Sequence, residues 1–483
     1  MSRRPRALLL VPPVYDFALY DLHIAPFGLA RVGRALEHAG WEVRLVDALS
    51  TDDPVSRAAL GRPRRRSDGT GKLFRRRVPW PESGRLAAPP PQRSFGRYGI
   101  LPESLARRVA GAFDGAAPDL LLVSSGMTYW YPGVVEAVRT VRQTHPRTPV
   151  CVGGTYATLL PEHCARVTGA DLVVPGPAER GEGRRRLEAL LGRRGLPVPD
   201  WSAGVPAVVP TGRGSAAVRL NEGCPYRCDY CAAYRIAPEL RYGDGVAAFS
   251  EVRRLLETAG VVDFAFYDDA LLAGKRRVFE TFLDAAVRYR RAGAPRAPRF
   301  HLPNAVHMRH LDAETAHLMF AAGMQEVRMG FESAEQGFHE AHDAASGDGE
   351  HSAHAGGKAK ATDLSEAVEL LTDAGFRPEQ VGVYVLAGLP RQCREEVEHS
   401  VRTAGAQGIQ VYVSEFSPVP GSVLFEKAAA LSRYPIAEEP LYQNNTLLPL
   451  AWEGFTTGDL SAVKEYAAGL RRECRLRPAH TEP

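Results

Sequence analysis

Three cysteines within eight residues constrain this chain more than any other feature. They stand in Asn221-Glu222-Gly223-Cys224-Pro225-Tyr226-Arg227-Cys228-Asp229-Tyr230-Cys231, a C-x3-C-x2-C spacing. The apolar run Ala216–Leu220 before them reads as a buried strand, so the cysteines sit on the loop at its C-terminal end. Three thiolates on one short loop can hold three irons of a cubane [4Fe-4S] cluster. No fourth cysteine is nearby, so the fourth iron keeps an open position where chemistry can occur. A zinc knuckle would need a fourth Cys or His at suitable spacing, and none follows closely. The remaining cysteines, Cys151, Cys164, Cys393 and Cys474, are scattered and read as ordinary thiols. Seven cysteines in 483 residues make no disulfide framework.

The loop lies inside a run of alternating strand and helix patterns. Strands are expected at Ala216–Leu220, Val262–Tyr267, Arg299–Leu302, Glu326–Phe331, Gln380–Leu386 and Ile409–Ser414. Helices fit between them at Ala247–Ala259, Lys275–Ala292, Ala313–Ala322, Asp363–Ala374 and Arg394–Gly408. About six βα units close most naturally into a parallel barrel, complete or partial, with its active site at the C-terminal strand ends. Residues 335–360 interrupt the pattern with Gly, Ser, Ala and four histidines, His339, His342, His351 and His354. Without regular ligand spacing they read as a solvated loop.

The region before about residue 195 alternates in the same way. Ala7–Val11, Glu42–Val46, Leu120–Ser124, Val150–Gly153 and Leu172–Val174 read as strands. Helices are expected at Phe27–Gly40 and from Pro132 to His145. This predicts a Rossmann-like parallel sheet covered on both faces. Residues 57–99, rich in Arg, Pro and Gly, read as an irregular insertion. A Pro/Gly-rich linker over 195–214 precedes the second domain, taken as 205–425, and 426–483 reads as a helical extension.

Composition bounds the rest. Apolar residues are 45% and charged residues 24% of the chain, ordinary for a packed protein and against wholesale disorder. No apolar run reaches the length of a membrane span, and the first residues lack a cleavage signal, so a cytoplasmic protein without membrane contact is expected. The net charge of +4 does not call for nucleic acid; the arginine runs Arg64–Arg66, Arg75–Arg77 and Arg184–Arg186 read as solvated surface.

The cysteine loop, with Tyr230 at the aromatic position of C-x3-C-x-Φ-C, resembles that of the radical S-adenosylmethionine (SAM) superfamily over about residues 215–425. Further strand ends resemble the same family. They are Tyr267-Asp268-Asp269, His301-Leu302-Pro303-Asn304, Met329-Gly330-Phe331-Glu332-Ser333, Gly388-Leu389-Pro390 and Ser417-Pro418-Val419-Pro420-Gly421. The resemblance implies a (β/α)6 core in which Cys224, Cys228 and Cys231 ligate the cluster. SAM would chelate the fourth iron, with Tyr230, Asp268, Asn304, Gly330, Glu332 and Ser333 as candidate SAM contacts. It also implies a low-potential electron donor of flavodoxin or ferredoxin type. On the residues alone, Asp268 can equally be a helix N-cap and Glu332 a partner for an arginine.

The first region resembles the cobalamin (B12)-binding domain that accompanies one branch of that superfamily. Ser125-Gly126-Met127-Thr128 follows the third strand and Gly153-Gly154 the fourth, at the sheet edge where a corrin could approach backbone closely. Ser125, Thr128, Gly153 and Gly154 are the implied cobalamin contacts. The family's D-x-H-x-x-G has become Asp21-Leu22-His23-Ile24-Ala25-Pro26, so His23 is read as a loop histidine and not as a cobalt ligand. These features predict a cobalamin-dependent methyltransferase acting on an unactivated carbon. The competing readings are a rearranging, cyclising or oxidising radical enzyme with a degenerate B12 domain, an RNA-modifying methylthiotransferase, and a non-catalytic sensor. The methylthiotransferase would need a second cysteine set that this chain lacks.

Overall fold

The Arg6–Val11 strand carries a different core on each face. Leu8 and Leu10 pack with Leu121, Val123 and Val152, while Ala7, Leu9 and Val11 pack with Leu120, Leu122 and Cys151. A strand buried on both faces belongs inside a parallel sheet. In the computed structural model, which describes residues 3–81, 93–335, 337–342 and 361–476, five parallel strands run side by side. Their order is Glu42–Asp47, Arg6–Val11, Leu120–Ser125, Val150–Gly154 and Leu172–Val174. In chain order this is 2-1-3-4-5, a doubly wound sheet whose switch point lies between the first and third strands. Phe27–His38 and Gly181–Arg193 cover one face; Pro102–Gly111 and Tyr131–Thr144 cover the other.

The insertion read as irregular is partly ordered. Pro54–Leu60 is a helix whose N-cap, Asp53, accepts a hydrogen bond from Ser56 N. Arg75–Arg77, Gly96–Tyr98 and Val14–Asp16 form a small antiparallel sheet. Aromatic packing explains it: Trp80 stacks on Phe17 at 5.2 Å and meets Phe95 edge-on at 4.9 Å. These anchors were masked by the surrounding Arg, Pro and Gly.

The chain divides into two compact units, Met1–Gly214 with Ala437–Gln443, and Ser215–Ile436 with Asn444–Pro483. In the second unit, Ser215–Val218, Asp263–Phe266 and Arg299–His301 are parallel neighbours. Val327–Glu332, Val381–Ala387 and Gln410–Glu415 form a second parallel trio. Bridges between Phe300 and Met324 and between Val306 and Met329 join the two sets, so six parallel strands follow one another in chain order.

Helices connect them with recognisable punctuation. Gly245–Ala259 begins at Asp244, whose side chain accepts from Ala247 N, and ends at a left-handed Gly260. Ala313–Ala322 begins at Asp312 and ends at a left-handed Gly323 in the same way. The C-terminal helix Thr457–Leu476 packs against Gln410–Glu415. Among the described residues no helix is long and apolar enough to cross a membrane.

Candidate active site

The cysteine loop leaves the C-terminal end of Ser215–Val218 and is closed at its base. Asn221 and Glu222 pair antiparallel with Tyr242 and Arg241, and Gly243 N donates to Leu220 O at 2.9 Å. Gly223, at φ 84°, turns the chain into Cys224; a Cβ there would lie 2.5 Å from Glu239 O, so only glycine fits. Asp268, at the end of the second strand, lies beneath this turn. Its carboxylate accepts from Leu220 N at 3.0 Å and also from Asn221 N. Burial pushes its pKa up to about 7, against the lowering effect of those two amides and of Arg219. Asp268 is therefore neither a helix cap nor a free carboxylate; it holds the start of the loop.

Three more segments grip the loop. Asp229 N donates to His342 O at 2.9 Å, His342 Nδ1 meets the Asp229 carboxylate at 3.0 Å, and Leu424 N donates to Asp229 O at 2.8 Å. Gly421, the glycine of the P-x-P-G segment, accepts from Tyr234 Oη at 3.0 Å and Arg235 Nε at 3.2 Å. Tyr226, between the first two cysteines, stacks on His307 at 4.4 Å and bonds through its hydroxyl to His310. Cys228 is buried at 3% exposure, and Cys224 and Cys231 are half-buried. Tyr230 stands 6.4 Å from the His342 ring. A cubane takes one thiolate per iron, so three sulfurs fixed on a rigid loop suit it without converging on a single point. Among the described residues no three His, Cys, Asp or Glu side chains gather as a single-ion site.

The fourth strand ends in backbone strain. Its pairing with the fifth strand shifts between Gly330 and Glu332, and Glu332 sits at φ 63°. A left-handed glutamate costs on the order of 1–2 kcal/mol, and such residues cluster at functional sites. The turn folds the carboxylate back over Gly330, where a Cβ would come 3.3 Å from Glu332 Oε1 and 3.7 Å from Ala305 Cβ. Asn304 Nδ2 reaches Asp268 O at 3.4 Å, and Tyr384 Oη donates to Pro303 O at 3.0 Å. The ends of the second to fifth strands are thus tied together. Ser333 turns away from this edge: its hydroxyl meets Ser400 Oγ at 3.3 Å and accepts from Glu335 N at 3.1 Å.

In the first unit, Ser125 Oγ donates to Gly153 O at 2.8 Å and accepts from Ala157 N at 3.1 Å. Gly154, at φ 105°, would place a Cβ 2.3 Å from Ser125 O. Its glycine is required by the neighbouring strand. The Thr128 hydroxyl bonds to Gln443. These polar groups are engaged within the protein. His23, read as a loop residue, is buried at 2% exposure and has φ 65°. Asp21 beside it is fully buried, paired with Arg65 at 2.8 Å and Arg213 at 2.7 Å. Tyr20 and Leu22, in contrast, are exposed at 39% and 45%. Polarity along this segment is inverted, with acid and imidazole inward and apolar side chains outward.

No protein-family model and no curated protein matches the chain. Solved structures match it over nearly its whole length. One is the radical S-adenosylmethionine methyltransferase TsrM from Kitasatospora setae with cobalamin and a [4Fe-4S] cluster bound. It is 18% identical with TM-score 0.62, over 90% of this chain and 76% of TsrM. TsrM with tryptophan substrate and the SAM analogue aza-SAM gives 17% identity and TM-score 0.63, over 95% and 88%. The cobalamin-dependent SAM radical enzyme OxsB gives 10% and 0.51, over 96% and 61%. The chain has the fold of cobalamin-dependent radical SAM enzymes.

Within that fold several site residues escaped the sequence. His342 lies in the segment read as a solvated loop, yet it docks on the cysteine loop through Asp229; His351 and His354 lie outside the described residues. His307 and His310, which hold Tyr226, belong to no motif. Lys275 Nζ fixes that turn by donating to His310 O and Asp312. The only hint was the concentration of histidine just after a strand end.

Proposed function

We propose that this chain is a radical SAM enzyme in which Cys224, Cys228 and Cys231 hold a [4Fe-4S] cluster, and that it transfers a methyl group to an unactivated carbon with cobalamin bound in the first unit. The observation that carries the reading is the cysteine loop, clamped from several sides at the C-terminal edge of the six parallel strands, the edge at which the fourth strand ends in the strained Glu332. When bound, the cluster and SAM would supply one-electron cleavage of a carbon–sulfur bond, and cobalamin a methyl carrier. The chain's own residues do the rest. Asp268 and Gly223 set the path of the loop. His342, Gly421 and Tyr226 keep it rigid. Glu332 over Gly330, with Asn304, presents polar atoms for SAM's amino, carboxylate or ribose groups. The electron would come from a low-potential donor of flavodoxin or ferredoxin type.

Support for cobalamin is the likeness in fold and the inverted polarity at Tyr20 and Leu22, which offers an apolar surface to a flat macrocycle. The internal engagement of Ser125 and Thr128 favours a second reading, radical chemistry without bound cobalamin. The tests separate the two. Anaerobically reconstituted protein with reductant should release 5′-deoxyadenosine or methylate cobalamin at the expense of SAM. Alanine at any of the three cysteines should abolish this and lower bound iron. Unchanged iron and SAM turnover in all three variants would overturn the cluster assignment. Protein incubated with hydroxocobalamin and desalted should keep corrin absorbance; its absence would favour the second reading.

A further inference from the structure

The cysteine loop runs into a short helix, Ala233–Ile236, that begins two residues after Cys231. Ala233 N donates to Cys231 Sγ at 3.4 Å, so this helix touches one of the three sulfurs. Tyr234 comes next, and two arginines flank its ring, Arg227 at 5.2 Å and Arg235 at 5.4 Å. Tyr234 Oη and Arg235 Nε both donate to Gly421 O, and Leu424 N donates to Asp229 O. These bonds join the loop to the helix Leu424–Leu431.

That helix buries Leu424, Phe425 and Ala428 and turns a different face outward. Val423, Lys427 and Leu431 recur every four residues, so they share that face. Val423 is exposed at 69% and Leu431 at 39%, with the exposed Lys427 between them. Arg227 donates to the carbonyls of Cys224 and Tyr226, and Arg235 to that of Gly421. Carbonyls leave their charges in place, and among the described residues neither arginine is paired with a carboxylate. Glu426 is the only acid between Gly421 and Leu431. An apolar ridge bordered by cations, anchored on the residues that follow the cysteines, has the pattern of a docking surface.

We propose that this face docks the electron donor, a small protein with an acidic surface. Arg227, Arg235 and Lys427 attract its carboxylates, and Val423 and Leu431 bury against it. One electron then leaves the donor and enters the cluster beside Cys231; the donor is oxidised by one electron, the cluster is reduced by one, and no bond of this chain changes. What the electron reduces rests on the cluster reading above; what binds rests on the surface alone. Electron-transfer partners meet over small, salt-sensitive interfaces, which a few cations around an apolar ridge can supply. The charge favours an acidic partner over a second copy of this chain, because a two-fold contact would set the same cations against each other.

The probes are an acidic flavodoxin and an acidic ferredoxin, titrated by calorimetry against the full chain with and without its reconstituted cluster. Saturable binding of one of them is expected in both forms, weakening several-fold as salt rises to about 0.15 M. Lys427→Glu and Val423→Asp should each weaken it several-fold, and Arg235→Glu with Lys427→Glu about tenfold or more. In reconstituted protein, the rate at which the reduced donor bleaches the cluster absorbance should fall by the same factors. Dithionite, which needs no docking surface, should reduce wild type and variants alike; circular dichroism and bound iron confirm fold and loading. A wild type that binds the donor but holds no iron would overturn the cluster reading and leave the surface assigned. Absence of salt-sensitive binding, or binding and reduction unchanged in the folded charge-reversed variants, overturns the surface. Self-association that those variants abolish would give the face to a second copy and overturn it as well.

Discussion

Replacing Asp268 tests how the fold presents its cysteine loop. In Asp268→Ala, the amides of Leu220 and Asn221 lose their acceptor in a place water does not reach. Each buried unmatched amide costs about 1–3 kcal/mol, so the second unit should lose about 2–6 kcal/mol. Asp268→Asn keeps one oxygen to accept from both amides and carries no charge. The wild-type carboxyl has its pKa raised from 3.8 to about 7. The folded state therefore holds the proton more tightly than the unfolded one. That contribution to stability is full below about pH 4 and is lost as pH rises through about 7, a span of about 4 kcal/mol. At pH 8, Asp268→Asn should then fall within about 1 kcal/mol of wild type or exceed it, and its stability should decline less between pH 5 and 8. The assay is the unfolding transition of the second unit by circular dichroism across that range, with iron per chain after anaerobic reconstitution. Asp268→Ala should lose both midpoint and iron. Wild-type midpoint and iron in Asp268→Ala would refute the reasoning, as would an asparagine variant as damaged as the alanine one at pH 8.

Three further outcomes are expected. Glu332→Gly removes a left-handed side-chain residue and should raise stability by about 1 kcal/mol, while weakening SAM binding to reconstituted protein about tenfold or more by calorimetry; tighter or unchanged SAM binding would remove Glu332 from the site. His301 lies between Asp263 and Glu326 at 2.9 and 3.1 Å. Burial alone would lower its pKa, but those carboxylates hold it at about 9. Its stabilisation is full below about pH 6.5 and lost as pH rises through about 9, about 3 kcal/mol in all, and His301→Gln should flatten the stability profile over that window. His342→Ala frees Asp229, so bound iron should pass to a chelator several-fold faster with overall stability changed by under about 1 kcal/mol; an unchanged release rate would show that the loop does not need this clamp.

Much of the fold was legible because both sheets are parallel and buried. Runs such as Leu120–Ser125 and Val381–Ala387 must then be continuously apolar or small, and the helices between them carry Asp caps and Gly stops. Element types therefore followed from local pattern. The insertion was misread because its small sheet rests on a few aromatics, Phe17, Trp80 and Phe95, far apart in the chain. Hydroxyl roles were illegible for a related reason. Whether Ser125 or Ser333 faces a ligand depends on which partner reaches it first, and Gly153, Ala157 and Ser400 do so.

The sequence by itself determined the three cysteines, their spacing and their position after a strand, because a short loop forces neighbours in the chain to be neighbours in space. Only the tertiary structure decided what braces that loop and what lies beneath Glu332. Asp268, His310, His342 and Gly421 come from four separate strand-end segments, and no periodicity along the chain records which of them the strand order brings to one edge.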